Sequence, residues 1–279
     1  MKQKTITKAW IIFAIVSLLV ASLVVLIPFM WMVNTALQPN IKSVYQIPPR
    51  LPNPIAWGNF IKAWKSAPFG IYLKNSIIVS VAVVLLQTVT SAMAAYAFSW
   101  IKFPGRNVLF LFFLAVLMIP RQVTVIPQYI IISDLGWIDT LTALTIPLAV
   151  SAFGTFLIRQ SFLSVPGELV DAALIDGAGH FMIMSKIMIP LNQPMILTFL
   201  LLSFNWTWND YFWPLIMTNS TNMRTLPVGL VQMRMGPDQG TEWQIIMAAT
   251  VFVLLPVMLI FILFQRQFVE GVARQGIKG

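Results

Sequence analysis

The sequence predicts an all-α membrane protein of six transmembrane helices, and three observations carry that expectation. The chain is 58% hydrophobic and 10% charged with a mean hydropathy of +0.82, whereas a soluble domain carries about 25% charged residues. Its charges are not scattered. Residues 9–41, 75–101, 140–158, 187–209 and 243–265 are free of them, and 107–133 is interrupted only by Arg121. Crossing the hydrocarbon core takes roughly 20 apolar residues as a helix. Backbone groups in lipid must be satisfied within the segment, and no alternating ten-residue pattern suggests a barrel.

The elements follow in order. The first span is placed at 10–32. Lys2, Lys4 and Lys8 before it resemble the charged start of a signal peptide, but the apolar run is too long and Ile27-Pro28-Phe29-Met30-Trp31 is a poor cleavage site, so a retained helix is expected. Prolines and asparagines mark the stretch up to about residue 70 as irregular and exposed, with a short interfacial helix at 58–66. Further spans are placed at 71–100, 108–132, 140–161, 190–216 and 243–265. Between them lie a basic turn, IKFPGR (101–106), an acidic turn, SDLGWID (133–139), and a longer polar loop, 218–242. The chain divides into 1–70 (first helix plus external segment), a core at 71–266 and a C-terminal tail at 267–279.

With an internal amino terminus, the cytoplasmic side holds Lys2, Lys4, Lys8, Lys102, Arg106, Arg159 and Lys186 together with the basic tail, while the short turn 133–139 has no base. Short loops carry most of the orientation signal, so both termini are expected in the cytoplasm. The same flanking role explains the net charge of +9, and nucleic acid is not expected as a partner. The absence of cysteine excludes disulfides and thiolate metal sites. No internal repeat and no discontinuous helices in matching halves are apparent, which weakens the case for a secondary transporter. A small-residue stripe on the second span, Thr88, Ala92, Ala95 and Ser99, permits close helix approach, either within the chain's own bundle or at a subunit interface.

The segment ELVDAALIDGAG (168–179) holds three of the chain's 9 acidic residues between nearly charge-free neighbours. Pro166 suits a first helical turn, and Glu168 complements the positive end of the helix dipole. Nothing breaks a helix from 168 to 176, and Gly177 ends it. Leu169, Ala172, Ala173 and Asp176 share one face; Glu168, Asp171 and Ile175 share another. A short helix lies across the cytoplasmic ends of two spans, with alanines that permit close docking and carboxylates at the rim. It serves either as a lever for a soluble partner or as an ordinary surface helix.

This segment resembles the cytoplasmic EAA loop of the permease subunits of binding-protein-dependent ABC importers. There a Glu-Ala-Ala triplet precedes Ile-Asp-Gly-Ala, an aromatic residue and a proline; here stand Asp171-Ala172-Ala173, Ile175-Asp176-Gly177-Ala178, Phe181 and Ile189-Pro190. Aspartate for glutamate at 171 keeps the charge with one methylene less reach. AAYAFSWIKFPGR (94–106), MIPRQVTVIPQY (118–129), WNDYFWPL (208–215) and the tail FVEGVARQGIKG (268–279) are similar to the carbohydrate-uptake branch, specifically to the maltose-permease-like second subunit. The resemblance covers about residue 68 to the end. It implies the type I permease fold with 71–266 as its core, and a bacterial inner-membrane location. It makes loop 164–188 the coupling helix, with Glu168, Asp171, Ala172, Ala173, Asp176 and Gly177 meeting an ATPase subunit. It also implies a second homologous permease, two ATPase subunits that bind the ATP and magnesium, an external substrate-binding protein, and a carbohydrate as cargo.

The chain itself is not expected to be an enzyme or to hold a cofactor. The nearest approach to a phosphate-binding loop, residues 271–278, has isoleucine where lysine belongs. With one histidine, the sequence offers no convincing metal cluster, and His180 is placed on the loop surface near the partner.

Polar groups within a span are functional hypotheses by default. In SFNWTWNDYFWPL (203–215), Asn205 and Asn209 lie one turn apart with Asp210 adjacent, and Trp206, Trp208 and Trp213 surround them. This patch either contacts substrate or packs against a partner permease, while Tyr211 and Trp213 fit an outer aromatic belt. Arg121 falls at a depth similar to Asp210. It either pairs with that residue, snorkels or lines the aqueous cavity. Loop 218–242 is either a contact for the binding protein or simply solvated. Importers of a sugar phosphate or charged oligosaccharide share every motif; a proton-coupled secondary transporter and a purely structural subunit are the more distant rivals.

Overall fold

The computed structural model describes residues 8–40, 44, 50–234 and 242–276, with side chains undescribed at 8–9, 234 and 266–276. Lys2, Lys4, the loop residues 235–241 and the end of the tail lie outside the described residues. Those described are helical or irregular. The chain divides into two compact units, Met1–Ala67 with Leu230–Leu254, and Pro68–Gly229 with Leu255–Gly279.

In the first unit, α1 (Lys8–Ala36) carries the most apolar window of the chain, and none of that window is buried by the protein itself. Its end is fastened by Asn59, whose Nδ2 donates to the carbonyls of Ala36 and Gln38, both at 2.8 Å. Asn59 sits on α2 (Gly58–Lys65), close to the short helix expected at 58–66. The α2 aromatics Phe60 and Trp64 pack edge-on against Phe252, at 6.0 and 5.4 Å between ring centres.

The second unit is organised by α3 (Phe69–Trp100), whose 32 residues span about 48 Å at 1.5 Å per residue, more than a bilayer core requires. Its small-residue stripe is internal: Ala92, Ala95 and Ser99 are buried. Two apolar clusters flank α3 along its length. One gathers Ala95, Tyr96, Ile158, Phe162, Met188 and Phe199; the other gathers Val79, Val83, Ala143, Leu144, Trp213 and Met217.

Six spans are present only if three of them are counted as broken helices, a feature not apparent in the sequence. Helices α4 (Arg106–Ala115, extended by a 3-10 turn to Met118) and α5 (Arg121–Asp134) meet at 99°. Ile119 is extended there because it precedes Pro120, which disfavours the helical conformation for the residue before it. Next come α6 (Leu141–Thr145, continued to Leu148) and α7 (Ala152–Phe162), bent by 41°. The third pair is α9 (His180–Ile183, continued through a π-helical turn Met184–Met188 to Leu191) and α10 (Gln193–Trp208), bent by 83° at Asn192. The fifth span is therefore not the continuous 190–216 of the sequence reading. A separate helix, α11 (Phe212–Met217), follows it.

Two of the three breaks are satisfied by side chains, as backbone freed within a membrane must be. Around the α6–α7 break, Gln87 donates to the Leu148 carbonyl at 2.8 Å, Thr90 to that of Ala149 at 2.8 Å and Ser91 to that of Ser151 at 3.3 Å. Ser151 caps α7 by accepting the Gly154 amide at 3.0 Å. At the other break Asn192 donates to the Met188 carbonyl at 2.8 Å and accepts from Ser161. Gly154 itself marks a close approach, since a Cβ there would lie 2.2 Å from Phe199 Cζ. The last two helices are α12 (Leu226–Arg234) and α13 (Trp243–Gly276).

Candidate functional site

Two regions concentrate the residues singled out by the sequence. The first is α8 (Gly167–Ile175), the acidic loop helix, whose bounds fall one residue short of 168–176 at the C-terminal end and one before it at the start. Pro166 precedes it and Glu168 occupies its first turn. It ends in a Schellman arrangement: Ala178 N–H donates to Ala173 O at 2.9 Å, Gly177 N–H donates to Leu174 O at 3.1 Å, and Gly177 takes φ +80°. Val170 and Ala173 turn inward and join the cluster holding Ala95, Tyr96, Ile158 and Phe162. Glu168, Asp171, Ala172, Asp176 and Gly177 are exposed.

This corrects the sequence reading of a single alanine face. Adjacent helical positions differ by about 100°, so when Ala173 anchors the helix to α3 and α7, Ala172 points away. The outward surface also carries Ile175 at 85% exposed and Phe181 at 74%. His180 stays on the surface, but its Nδ1 lies 3.1 Å from the Tyr96 hydroxyl, a partner the sequence did not suggest.

The second region surrounds the end of α10. Asn209 Nδ2 donates back to the Asn205 backbone carbonyl at 2.8 Å and to its side-chain oxygen at 3.1 Å, so the two amides form one exposed pair. Asp210 divides its oxygens: Oδ1 accepts the Trp213 amide at 3.2 Å, and Oδ2 lies 3.3 Å from Arg121 Nη1. Arg121 opens α5, where its charge faces the positive end of a helix dipole, and Asp210 offsets that placement. The guanidinium also stands 5.9 Å from the Trp213 ring centre. Among the alternatives open in the sequence, Arg121 pairs while remaining 56% exposed.

The tryptophans separate. Trp206 is half-exposed and meets Phe153 edge-on at 5.2 Å. Trp208 is buried against Phe204. Trp213 is buried too, donating Nε1–H to the Ala143 carbonyl at 3.0 Å, which removes it from the aromatic belt proposed for it.

Two further polar residues matter that sequence reasoning passed over. Gln87 joins the α6–α7 break to α10, accepting the Ser203 hydroxyl proton at 2.7 Å while donating to Leu148. Its signal was an amide in the middle of a charge-free span. Asp139, in the acidic turn, adopts φ +61° and accepts the amides of Asn219 at 2.9 Å and Ser220 at 3.0 Å. Burial pushes its carboxyl upward, but the Ser220 and Asn219 hydrogen bonds and the nearby Arg224 charge outweigh this and hold its pKa below the usual carboxylate value. The same loop is tied to α3. Asn75 donates to the carbonyls of Asn222 and Arg224 at 2.8 and 3.0 Å, and Ser76 accepts the Leu226 amide at 2.8 Å. The first half of loop 218–242 is thus a fixed structure.

A bundle with broken spans and an acidic helix in the loop between two of them has the make-up of a transport subunit. The chain belongs to the binding-protein-dependent transport system inner membrane component family, whose model matches residues 87–274. It is the non-catalytic, multi-pass permease subunit of an ABC importer. The sn-glycerol-3-phosphate transport system permease protein UgpE of Yersinia enterocolitica serotype O:8 / biotype 1B is 35% identical over 267 residues, 93% of this chain and 95% of that one. Its counterpart in Brucella abortus (strain 2308) is 41% identical over 199 residues, 71% of each chain. A chain from the crystal structure of a bacterial ABC transporter involved in the import of the acidic polysaccharide alginate has the same fold, with a TM-score of 0.81 at 24% identity, covering 94% of this chain and 98% of that one.

Proposed function

We propose that the chain forms half of the translocation path of an ATP-driven importer for a carbohydrate, a disaccharide or oligosaccharide. A second, homologous permease supplies the other half. The observation that carries the reading is α8: a helix anchored at its back by Val170 and Ala173, presenting Asp171, Ala172, Asp176 and the bare side chains of Ile175 and Phe181 outward. Large exposed apolar side chains beside acidic ones on a loop mark a protein contact. In this reading loop 164–188 lies in the cytoplasm with both termini, Glu168, Asp171, Ala172, Asp176 and Gly177 couple it to one of two ATPase subunits, and the buried Ala173 anchors the helix behind them. Those subunits hold the ATP and magnesium. The exposed Asn205–Asn209 pair, Asp210, Arg121 and Trp206 border the substrate path, and an external binding protein delivers the cargo.

A second reading, a sugar or polyol phosphate as cargo, is favoured by the sn-glycerol-3-phosphate systems named for the relatives and by the exposed guanidinium of Arg121. Gentle purification with mass identification of co-purifying chains, followed by uptake into proteoliposomes, tests both. An ATPase, a second permease and ATP-dependent uptake are expected. A chain that arrives alone and transports without ATP would overturn the importer reading, and the ligand of the binding protein separates sugar from phosphate.

A further inference from the structure

We infer that the Tyr96–His180 contact is the polar link through which the loop moves α3. The inference rests on the coupling role proposed for loop 164–188. Tyr96 is 3% exposed, one turn from the end of α3, and its hydroxyl lies 3.1 Å from His180 Nδ1, with the two rings edge-on at 6.0 Å. His180 opens α9, which follows α8 and leads into α10, and it stays exposed on the outward side.

The other contacts between the loop and α3 are apolar. Val170, Ala173 and Ile183 share a cluster with Ala95 and Tyr96. Apolar packing is non-directional, so it resists a push yet permits sliding. A hydrogen bond loses most of its strength when its angle or length changes, so it fixes the loop to one position along α3. What it holds is a single continuous helix. Farther along α3, Gln87 grips Ser203 of α10 and the Leu148 carbonyl at the α6–α7 break. Val79 and Val83 then pack in the cluster that contains Trp213, whose amide is bonded to Asp210. A displacement imposed at His180 therefore reaches the broken spans and the Arg121–Asp210 pair through one rigid element.

The test uses the complete complex in proteoliposomes and reads substrate imported per ATP hydrolysed, beside the melting temperature. Tyr96→Phe keeps the ring and its packing, and His180→Ala alters an exposed position. Each is expected to lower the ratio about five-fold, the equivalent of one ordinary net hydrogen bond, with assembly and melting temperature retained. The double variant should be no worse than either single one, as two halves of one interaction require. His180→Asn, whose amide can occupy the place of Nδ1, should restore coupling where His180→Gln does not. An unchanged ratio in Tyr96→Phe, or losses that multiply in the double variant, would overturn the inference while leaving the importer reading intact. A wild-type complex that imports without hydrolysing ATP would remove both.

Discussion

Arg121 and Asp210, 89 positions apart in sequence, meet at 3.3 Å between Nη1 and Oδ2. Arg121 is 56% exposed, so solvent limits the pair to about 1 kcal/mol or less of stability, and its effect should appear in transport instead. Arg121→Glu and Asp210→Arg are each expected to reduce uptake by an assembled complex, and the double swap to recover part of it. A double swap as inactive as the singles would argue against pairing.

Asp139 should act as a pH-sensitive clamp of the loop after α11. Its folded pKa is depressed, so its contribution is complete above the unfolded-state value, about 3.9, and is lost as pH falls through the folded value. Protection of the Asn219 and Ser220 amides against hydrogen exchange should be constant down to about that pH and fall below it, and tryptic cleavage after Arg224 should be slow at neutral pH. Asp139→Ala should show fast cleavage at neutral pH. Equal cleavage of variant and wild type would mean that Asn75 and Ser76 hold the loop without it.

Gly154 has no room for a side chain. Gly154→Ala is expected to destabilise the chain by about 1–3 kcal/mol through overpacking, read as a lowered melting temperature in detergent. Phe199→Leu, which withdraws the ring that a Cβ would meet at 2.2 Å, should offset much of that loss in the double variant. Additive losses would contradict the contact.

Gln87→Leu removes the donor to the Leu148 carbonyl and the acceptor for Ser203. Leaving that carbonyl unsatisfied costs about 1–3 kcal/mol, and the α6–α7 break should loosen. Faster amide exchange confined to residues near 148–155 is the expected signature. Unaltered exchange there would show that Thr90 and Ser91 suffice.

The sequence made the spans legible because a charge-free run of 20 residues has few other fates, and it made the end of α8 legible because Gly177 alone suits the left-handed step. The breaks were hidden for a related reason: a proline or asparagine within an apolar run leaves the hydropathy unchanged, while the bend at Ile119–Pro120 or Asn192 is set by backbone geometry and by distant partners such as Ser161. In α8, small and apolar residues lie on every side, so periodicity could not say that Val170 and Ala173, rather than Ala172, face inward. Arg121 and Asp210 could be matched by depth. Trp213 could not be placed, since a buried indole and one at the membrane interface read alike until the Ala143 carbonyl is found beneath it.

The most direct measurement is site-specific cross-linking from α8. The chain has no cysteine of its own, so Ile175→Cys carries a single reactive thiol at a position 85% exposed, with Asn219→Cys as the control on the Asp139-clamped loop. In native membranes, an adduct with an ATP-binding subunit is expected from residue 175 and from no thiol at 219. An ATPase adduct formed from 219, or none from 175 in a complex that imports substrate, would contradict coupling through this helix.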